Sequence, residues 1–369
     1  MTNRRVLSIQ SHIVSGYCGN KAATFPLQLL GFDVDVMNTV NFSNHTGYPS
    51  WTGEKATGEQ LTKLFEGLQT SGLVDYTHIL TGYIGSSQNL AAVTDIIAKL
   101  QDHGNPFFVL DPVMGDNGQL YVQPDVIPLY KELMKFAKAI TPNQFEAEIL
   151  ADKKITDVKS CIEVIEILHD AGVENVVITS VSLNPSDVAD HHAVGQNGFA
   201  ANGSKKSEQA QVNEEASMYC VCSSRRSNDD IPRVFAIGFP TYDGYFTGTG
   251  DLFSALLVAR LDEAIQQDES EAGSSVEGQE RSVPLINGHH HKVKTETALS
   301  RACIKVVATM RAVVLRTYQA QKGSTGRSLD RTLASAAAVV KRCELQLIQS
   351  KKDIERPDDS GVEAIELRR

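Results

Sequence analysis

Short runs of β-branched and apolar residues alternate along the chain with stretches whose apolar positions recur every three or four residues. "VLSIQS" (6–11) and "DVDVMNTV" (33–40) read as strands, and between them "GNKAATFPLQLLGF" reads as an amphipathic helix interrupted early by Pro26. Helical spacing over Glu59–Leu68 precedes the apolar strand "HILTGY" (78–83), and a helix over Leu90–Leu100 precedes the strand within "PFFVLDPV". A helix near 125–137, a strand in "AKAITPN", helices from about 144 and about 160, and the strand "NVVITSVSL" continue the series. Strands alternating with helices of this length predict βαβ units. The expected fold is α/β, a three-layer αβα arrangement with a mostly parallel central sheet and helices on both faces. In such sheets ligands sit beyond the carboxyl ends of the strands. The polar clusters "SIQSH", "TGYIG", "LDPVMGD", "ITPNQFE" and "ITS" all follow strands in that way.

Two segments break the alternation. Residues 184–230 are polar, with one strand-like piece, "SMYCVCSS"; residues 263–298 are acidic and poor in apolar residues. Both are expected to be flexible insertions in a single domain spanning 1–369. The His289-His290-His291 run lies inside the second and is expected to carry no structured metal site. Helical periodicity resumes at "ALSRACIKVVATMRAVVLRTYQA", and "CELQLIQSKKDIERP" alternates like an edge strand before a charged tail.

Composition narrows the classes of function. The net charge of −10 argues against non-specific nucleic-acid binding, so any phosphate site must be local. No apolar run reaches the ~20 residues that span a bilayer, and "MTNRRVLSIQS" lacks the apolar centre of a signal peptide. These features favour a cytoplasmic protein, with nuclear entry left open. The six cysteines are scattered, and "CVC" lacks the second pair of a zinc site, so reduced structural thiols are expected.

The chemistry concentrates in four motifs. "GTGD" (248–251) runs directly into the apolar helix "LFSALLVARL". Glycines there let the backbone approach a ligand, and the unpaired N–H groups of a helix start attract phosphate. A carboxylate in that position repels phosphate unless it takes the proton of an incoming hydroxyl, the pairing that phosphoryl transfer to an alcohol requires. Asp251 also suits a plain N-cap. "DPVMGD" places Asp111 and Asp116 where two carboxylates could help hold a hydrated Mg²⁺ near phosphates, or serve only as turn residues. "TPNQFEAEIL" opens a helix with Asn143 and Glu146 three apart, which suits both nucleotide-side chemistry and a capping box. Near the N-terminus, Ser11 and His12, then His45, Thr46 and Tyr48, then "TGYIGSS" follow three successive strands. Such hydroxyls, imidazole and aromatics suit a small aromatic, hydrogen-bonding substrate, or ordinary polar loops. Neither the dinucleotide fingerprint nor the GxxxxGK[ST] loop occurs.

In this order the motifs resemble the ribokinase-like superfamily, and within it the pyridoxal kinase family. "QSH", "GNKAATFPLQLLGF" and "FSNHTGY" are the most specific part, followed by "TGYIGS", "DPVMGD", "ITPNQFEAEIL", "VVITS", "GTGDLFSALL" and "QSKKDIERP". The resemblance implies ATP-dependent phosphorylation of the 5′-hydroxyl of pyridoxal, pyridoxine and pyridoxamine, in salvage of vitamin B6. It implies Asp251 as the base, with Gly248, Thr249 and Gly250 forming the anion hole. Ser11 and Thr46 match the family's ring-contacting positions and Tyr83 the aromatic that closes over the substrate, with His45 and Cys18 lining the same pocket. Asp111, Asp116, Tyr121, Thr141, Asn143, Thr179, Ser180 and Thr249 match the nucleotide side, with Glu146, Asp111 and Asp116 toward the metal. Family members use Mg²⁺, often with a monovalent cation such as K⁺, and typically form homodimers.

Three departures stand out: the segment after "DPVMGD" is short, Thr247 replaces a small apolar residue, and the acidic stretch follows the catalytic helix. Two other readings compete. A hydroxymethylpyrimidine kinase usually carries Cys where Asp251 stands and a different glycine-rich N-terminal signature. A catalytically silent vitamer-binding protein need not keep Asp251, Asn143 and Glu146.

Overall fold

The computed structural model describes residues 4–192, 218–225, 230–274, 296–322 and 333–368. The first half runs β1 (Arg5–Ile13), α1 (Asn20–Leu29), β2 (Asp33–Phe42), β3 (Gly53–Lys55), α2 (Gly58–Thr70), β4 (His78–Thr81), α3 (Ser87–Gly104) and β5 (Phe107–Leu110). A small hairpin, β6 (Gly115–Asp116) and β7 (Gln119–Leu120), leads to α4 (Ile127–Leu133), β8 (Ala139–Ile140), α5 (Gln144–Ala151), α6 (Val158–Asp170) and β9 (Asn175–Ser182). Then come α7 (Pro185–Asp190), β10 (Met218–Ser224), β11 (Arg233–Phe239), α8 (Thr249–Ser274), α9 (Ala298–Lys322), α10 (Leu333–Arg342), α11 (Lys351–Glu355) and β12 (Ile365–Leu367).

Ten strands form one sheet in the order β12-β11-β10-β9-β8-β5-β4-β1-β2-β3. The six from β9 through β2 pair in parallel, and the strands beyond them on each side pair antiparallel. Alternation along the strands divides the core between two faces. Leu7, Ile9, Ile79, Phe108, Leu110, Val176 and Ile178 pack with α2 to α6. Their sequence neighbours Val6, Leu80, Val109 and Val177 face α1, α8 and α9 instead. The expected three-layer αβα fold is what forms.

Several expectations change in detail. Pro26 lies inside α1 and does not interrupt it. A mid-helix proline costs one backbone hydrogen bond and crowds the preceding turn, and here the residue is buried. "CELQLIQS" is no edge strand: Leu345 and Leu347 are fully buried, and the segment turns into a 3₁₀ turn and α11. Arg316 fastens that turn through Ser350 and Asp353. The edge strand near the C-terminus is β12, which the pattern did not single out; it pairs with β11. The segment 184–230 contains α7 and the buried strand β10 between β9 and β11, so an insertion over the whole span does not hold. Likewise α8 continues to Ser274, well into the acidic stretch. The His289–His291 run and the remainder of both segments lie outside the described residues.

Among the described residues, no helix is long and apolar enough to cross a membrane. All six cysteines are free. Cys303 of α9 lies within hydrogen-bonding reach of Cys220 and Cys222 on β10.

Candidate active site

Parallel pairing brings the carboxyl ends of β1, β2, β4, β5, β8 and β9 to one edge of the sheet. Two successive antiparallel pairings give β11 the direction of β9. The 240–248 segment that follows it therefore starts from the same edge. Every motif singled out above gathers there, and α8 begins among them.

Asp251 lies in the first turn of α8. Its Oδ2 accepts the Gly19 N–H at 2.7 Å. Burial raises the Asp251 carboxyl above its usual range, and the Gly19 N–H pulls it part of the way back. Gly19 has φ of +54°, and a Cβ there would overlap the carbonyl and hydroxyl oxygens of Ser11. Glycine is thus required for the 16–19 loop to lie between Ser11 and Asp251. Gly248 has φ of +81° and packs directly on the Tyr17 carbonyl. The first helical bond of α8 runs from the Leu252 N–H to the Gly248 carbonyl at 3.0 Å. The N–H groups of Thr249, Gly250 and Asp251 precede it and have no intrahelical acceptor.

Asp111, just after β5, is 4% exposed, and a Cβ on Gly250 would lie 3.8 Å from its Oδ2. Burial, then the charges of Glu146 and Asp251, hold its carboxyl well above the usual range. The Ser254 hydroxyl opposes the shift by donating to Oδ2 at 3.0 Å. Thr141, buried after β8, shares a 2.8 Å hydrogen bond with Ser254. Thr179 and Ser180 lie on β9, and the Thr179 N–H bonds the Pro142 carbonyl.

The capping box at α5 is real: Asn143 Oδ1 accepts the Glu146 N–H at 2.9 Å, and Glu146 Oε2 accepts the Asn143 N–H at 3.0 Å. It also does more. Glu146 Oε1 accepts the N–H groups of Met114 and Gly115, and Asn143 Nδ2 donates to the Gly115 carbonyl. The box therefore fixes the "DPVMGD" turn beside Asp111. Burial raises the Glu146 carboxyl to about 7 even against three N–H donors.

Asp116 and Tyr121 stand farther out. Asp116 is exposed and accepts from Asn117 at its own turn, and Tyr121 is exposed while its N–H bonds the Met114 carbonyl. Among the described residues no three histidine, cysteine or carboxylate side chains converge as a metal cluster. A trio of Asp111, Asp116 and Glu146 closed around an ion is therefore not preformed. Asp116 points its carboxylate at its own turn while the other two are buried.

On the opposite side of Asp251, Cys18 and Tyr83 pack against Ile13, Val40 and Phe42, an apolar wall at the ends of β1 and β2. Burial, followed by the charges of Asp251 and Glu344, pushes the Cys18 thiol far up, so it is a neutral apolar surface and no nucleophile. His45 is buried, with the Tyr48 ring edge-on at 4.7 Å, whereas Thr46 is exposed on the same loop. A separate cavity of about 590 Å³ between β3, α2 and α3 includes none of these carboxylates. Its lining carries Lys55, Glu59 and Asp95 but none of Asp111, Glu146 and Asp251, so the strand-end cluster is the candidate site.

Three groups in the cluster were not anticipated: the Gly19 N–H, Ser254 and Glu344. Ser254 had a signal, because it lies three residues after Asp251 and shares its helix face.

The family model for phosphomethylpyrimidine kinase matches residues 43–213. The chain is 37% identical to the pyridoxal kinase of Homo sapiens, over 96% of each chain. It is 37% identical to that of Arabidopsis thaliana, over 96% of this chain and 92% of the other. Pyridoxal kinase from Leishmania donovani, solved with ADP and pyridoxamine and with ADP and pyridoxine, superposes at a TM-score of 0.70. That match covers 99% of this chain and 100% of the other at 29% identity.

Proposed function

The chain belongs to the pyridoxal kinase family, and from that premise we propose that it transfers the terminal phosphoryl group of ATP to the 5′-hydroxyl of pyridoxal, pyridoxine and pyridoxamine. The observation that carries the assignment is Asp251, a half-buried carboxylate held by the Gly19 N–H at the start of α8.

The acceptor half is formed by Ser11, Cys18, His45, Thr46 and Tyr83, with the apolar wall of Ile13, Val40 and Phe42 receiving a flat ring. The donor half comprises Thr141, Asn143, Thr179 and Ser180, with Asp116 and Tyr121 at the rim. Asp251 takes the proton of the 5′-hydroxyl as its oxygen bonds to the phosphorus of the γ-phosphoryl group. The bond to the β-phosphate oxygen breaks and ADP leaves. The N–H groups of Thr249, Gly250 and Asp251, next to Gly248, face the charge that accumulates on the phosphoryl oxygens. A raised pKa suits Asp251 to this task, since a carboxylate that resists ionisation is the stronger base.

The donor set fits Mg²⁺. Asp111, Glu146 and Asp251 raise one another's or their own cost of ionisation. Mg²⁺ favours one or two carboxylates plus water and substrate phosphates over an all-protein cage. Asp111 would hold it directly, and Glu146 or Asp116 through water. When bound, the ion offsets the charge of the nucleotide phosphates. A K⁺-class monovalent cation, a homodimer, a cytoplasmic location and one ribokinase-like domain complete the proposal, by likeness to the family.

The match to the phosphomethylpyrimidine kinase model supports a second reading. Asp in place of Cys at 251 and near-full-length identity to pyridoxal kinases weigh against it. Purified protein with MgATP should form pyridoxal 5′-phosphate and leave hydroxymethylpyrimidine largely unreacted; the reverse preference, or no transfer to either, overturns the assignment. Asp251→Asn should lower kcat by roughly three orders of magnitude, within the 10²–10⁴ range of a general base, with the pyridoxal KM little changed. Near-normal turnover in that variant, with a lower melting temperature, would reduce Asp251 to a structural anchor for the Gly19 loop; it is not the helix cap its residue type allowed, since Gly248 holds that position.

A further inference from the structure

Glu344 is a buried carboxylate from the far end of the chain, 4% exposed, that reaches into the acceptor half. Its Oε2 accepts the Tyr17 N–H at 2.8 Å, and its Oε1 accepts the Tyr48 hydroxyl at 3.0 Å. His45 Nε2 lies 3.5 Å from the same Oε1. Burial pushes the Glu344 carboxyl up, but the hydrogen bonds from His45, Tyr17 and Tyr48 outweigh it and hold the group below its usual range. It remains an anion inside the protein.

Its backbone is firmly placed. Leu345 and Leu347 are fully buried on either side of Gln346, whose N–H bonds Thr317 Oγ1 of α9 at 3.1 Å. The chain also makes room for the carboxylate. Gly16, with φ of +107°, is where a Cβ would overlap the Glu344 oxygens, so only glycine lets the loop close on them. Lys341 adds a hydrogen bond to Ser15 at 3.2 Å.

Two loops meet at this group. One carries Tyr17 and, two residues on, the Gly19 N–H that holds Asp251. The other carries His45 and Tyr48. We infer that Glu344 is the positioning residue of the acceptor site, setting the loop that lines the ring pocket and the loop that orients Asp251 in one fixed relation. It touches no reacting atom. Its effect on catalysis passes through His45, Tyr48 and the 16–19 loop. The inference rests on the pyridoxal kinase reading for the identity of the ring, and on the hydrogen bonds alone for the order of the loops.

The test uses the full chain with Glu344→Gln, Glu344→Asp and Glu344→Ala, plus Tyr48→Phe, which removes one contact and leaves the carboxylate in place. Initial rates are measured against pyridoxal at saturating MgATP, and against MgATP at saturating pyridoxal. Trp51, the only tryptophan, packs on Phe42 at 4.6 Å beside the His45 loop, so its emission reports that loop without any turnover. Glu344→Gln and Glu344→Ala should raise the pyridoxal KM about tenfold, the size expected for losing one charge-assisted hydrogen bond. The ATP KM should stay within about twofold, because the donor half has no contact with Glu344 to lose. Iodide should quench Trp51 more readily in both variants. Glu344→Asp should recover part of each effect, and Tyr48→Phe should show a smaller rise. An unchanged pyridoxal KM with unchanged Trp51 quenching overturns the inference, as does an equal rise in both KM values tracking a lower melting temperature. If the wild type phosphorylates no vitamer, the kinase reading fails by itself, and Trp51 quenching still decides whether Glu344 orders the loop.

Discussion

The hydroxyl oxygen of Thr247 is buried without a hydrogen-bond partner among the described residues, one residue ahead of Gly248. An unpaired buried hydroxyl costs about 1–3 kcal/mol, and valine fills the same volume without it. Thr247→Val should therefore stabilise the ligand-free protein by about 1 kcal/mol, seen as a higher urea midpoint at unchanged slope. A lower midpoint would mean that the hydroxyl does have a partner. The same contrast explains what could be read at single residues. Asp251 was legible because its neighbours in sequence, two glycines and an apolar helix, are also its neighbours in space. Ser254 was legible in principle from its helix position. Glu344 was not: its partners Tyr48 and Tyr17 are 296 and 327 positions away, and no local pattern marks an acid that closes such a distance.

At the level of elements, the strands flanked by helices were read correctly because a strand buried on both faces leaves a short continuous apolar run. "CELQLIQS" misled because two buried leucines at alternate positions satisfy the same rule while their backbone turns toward α11. The strand β10 is half of an unanticipated antiparallel pair, and its contact with α6 can be tested. His169 of α6 is buried, bonding the Val173 carbonyl at 2.7 Å through Nδ1 and Ser223 of β10 at 3.0 Å through Nε2. Burial lowers its pKa below 6.5. The unfolded chain therefore takes up a proton more readily than the folded one, so this contribution to stability is complete above pH 6.5. It is lost as pH falls from there through the folded value. His169→Gln keeps a neutral hydrogen-bonding side chain and should flatten the pH dependence of urea stability below pH 6.5, at some cost at pH 7. A wild-type and a variant with parallel pH profiles would remove His169 from the account.

Across the molecule, a net charge of −10 and a site containing Asp111, Glu146 and Asp251 set the terms on which a polyanion can bind. The sheet brings substrate-like clusters to one end of the strand edge and the carboxylates to the middle, an arrangement that follows from strand order. Strand order itself was not legible, since β4 inserts between β1 and β5 only once the whole sheet is assembled. Free ATP must approach buried carboxylates that resist sharing a site with more negative charge. A divalent cation removes that conflict, whereas the neutral vitamer ring never meets it. Thermal melting separates the cases. ATP in excess EDTA should leave the melting temperature nearly unchanged, while MgATP at about 100 times its Kd should add about 2.7 kcal/mol of apparent stability. Pyridoxal should raise the melting temperature equally with or without Mg²⁺. Asp111→Asn, which removes the carboxylate proposed to hold the ion directly, should narrow the gap between ATP and MgATP, because the cation then gains less on binding. Equal stabilisation by ATP with and without EDTA in the wild type would place the nucleotide away from these carboxylates, and the donor half would have to be sought elsewhere along the strand edge.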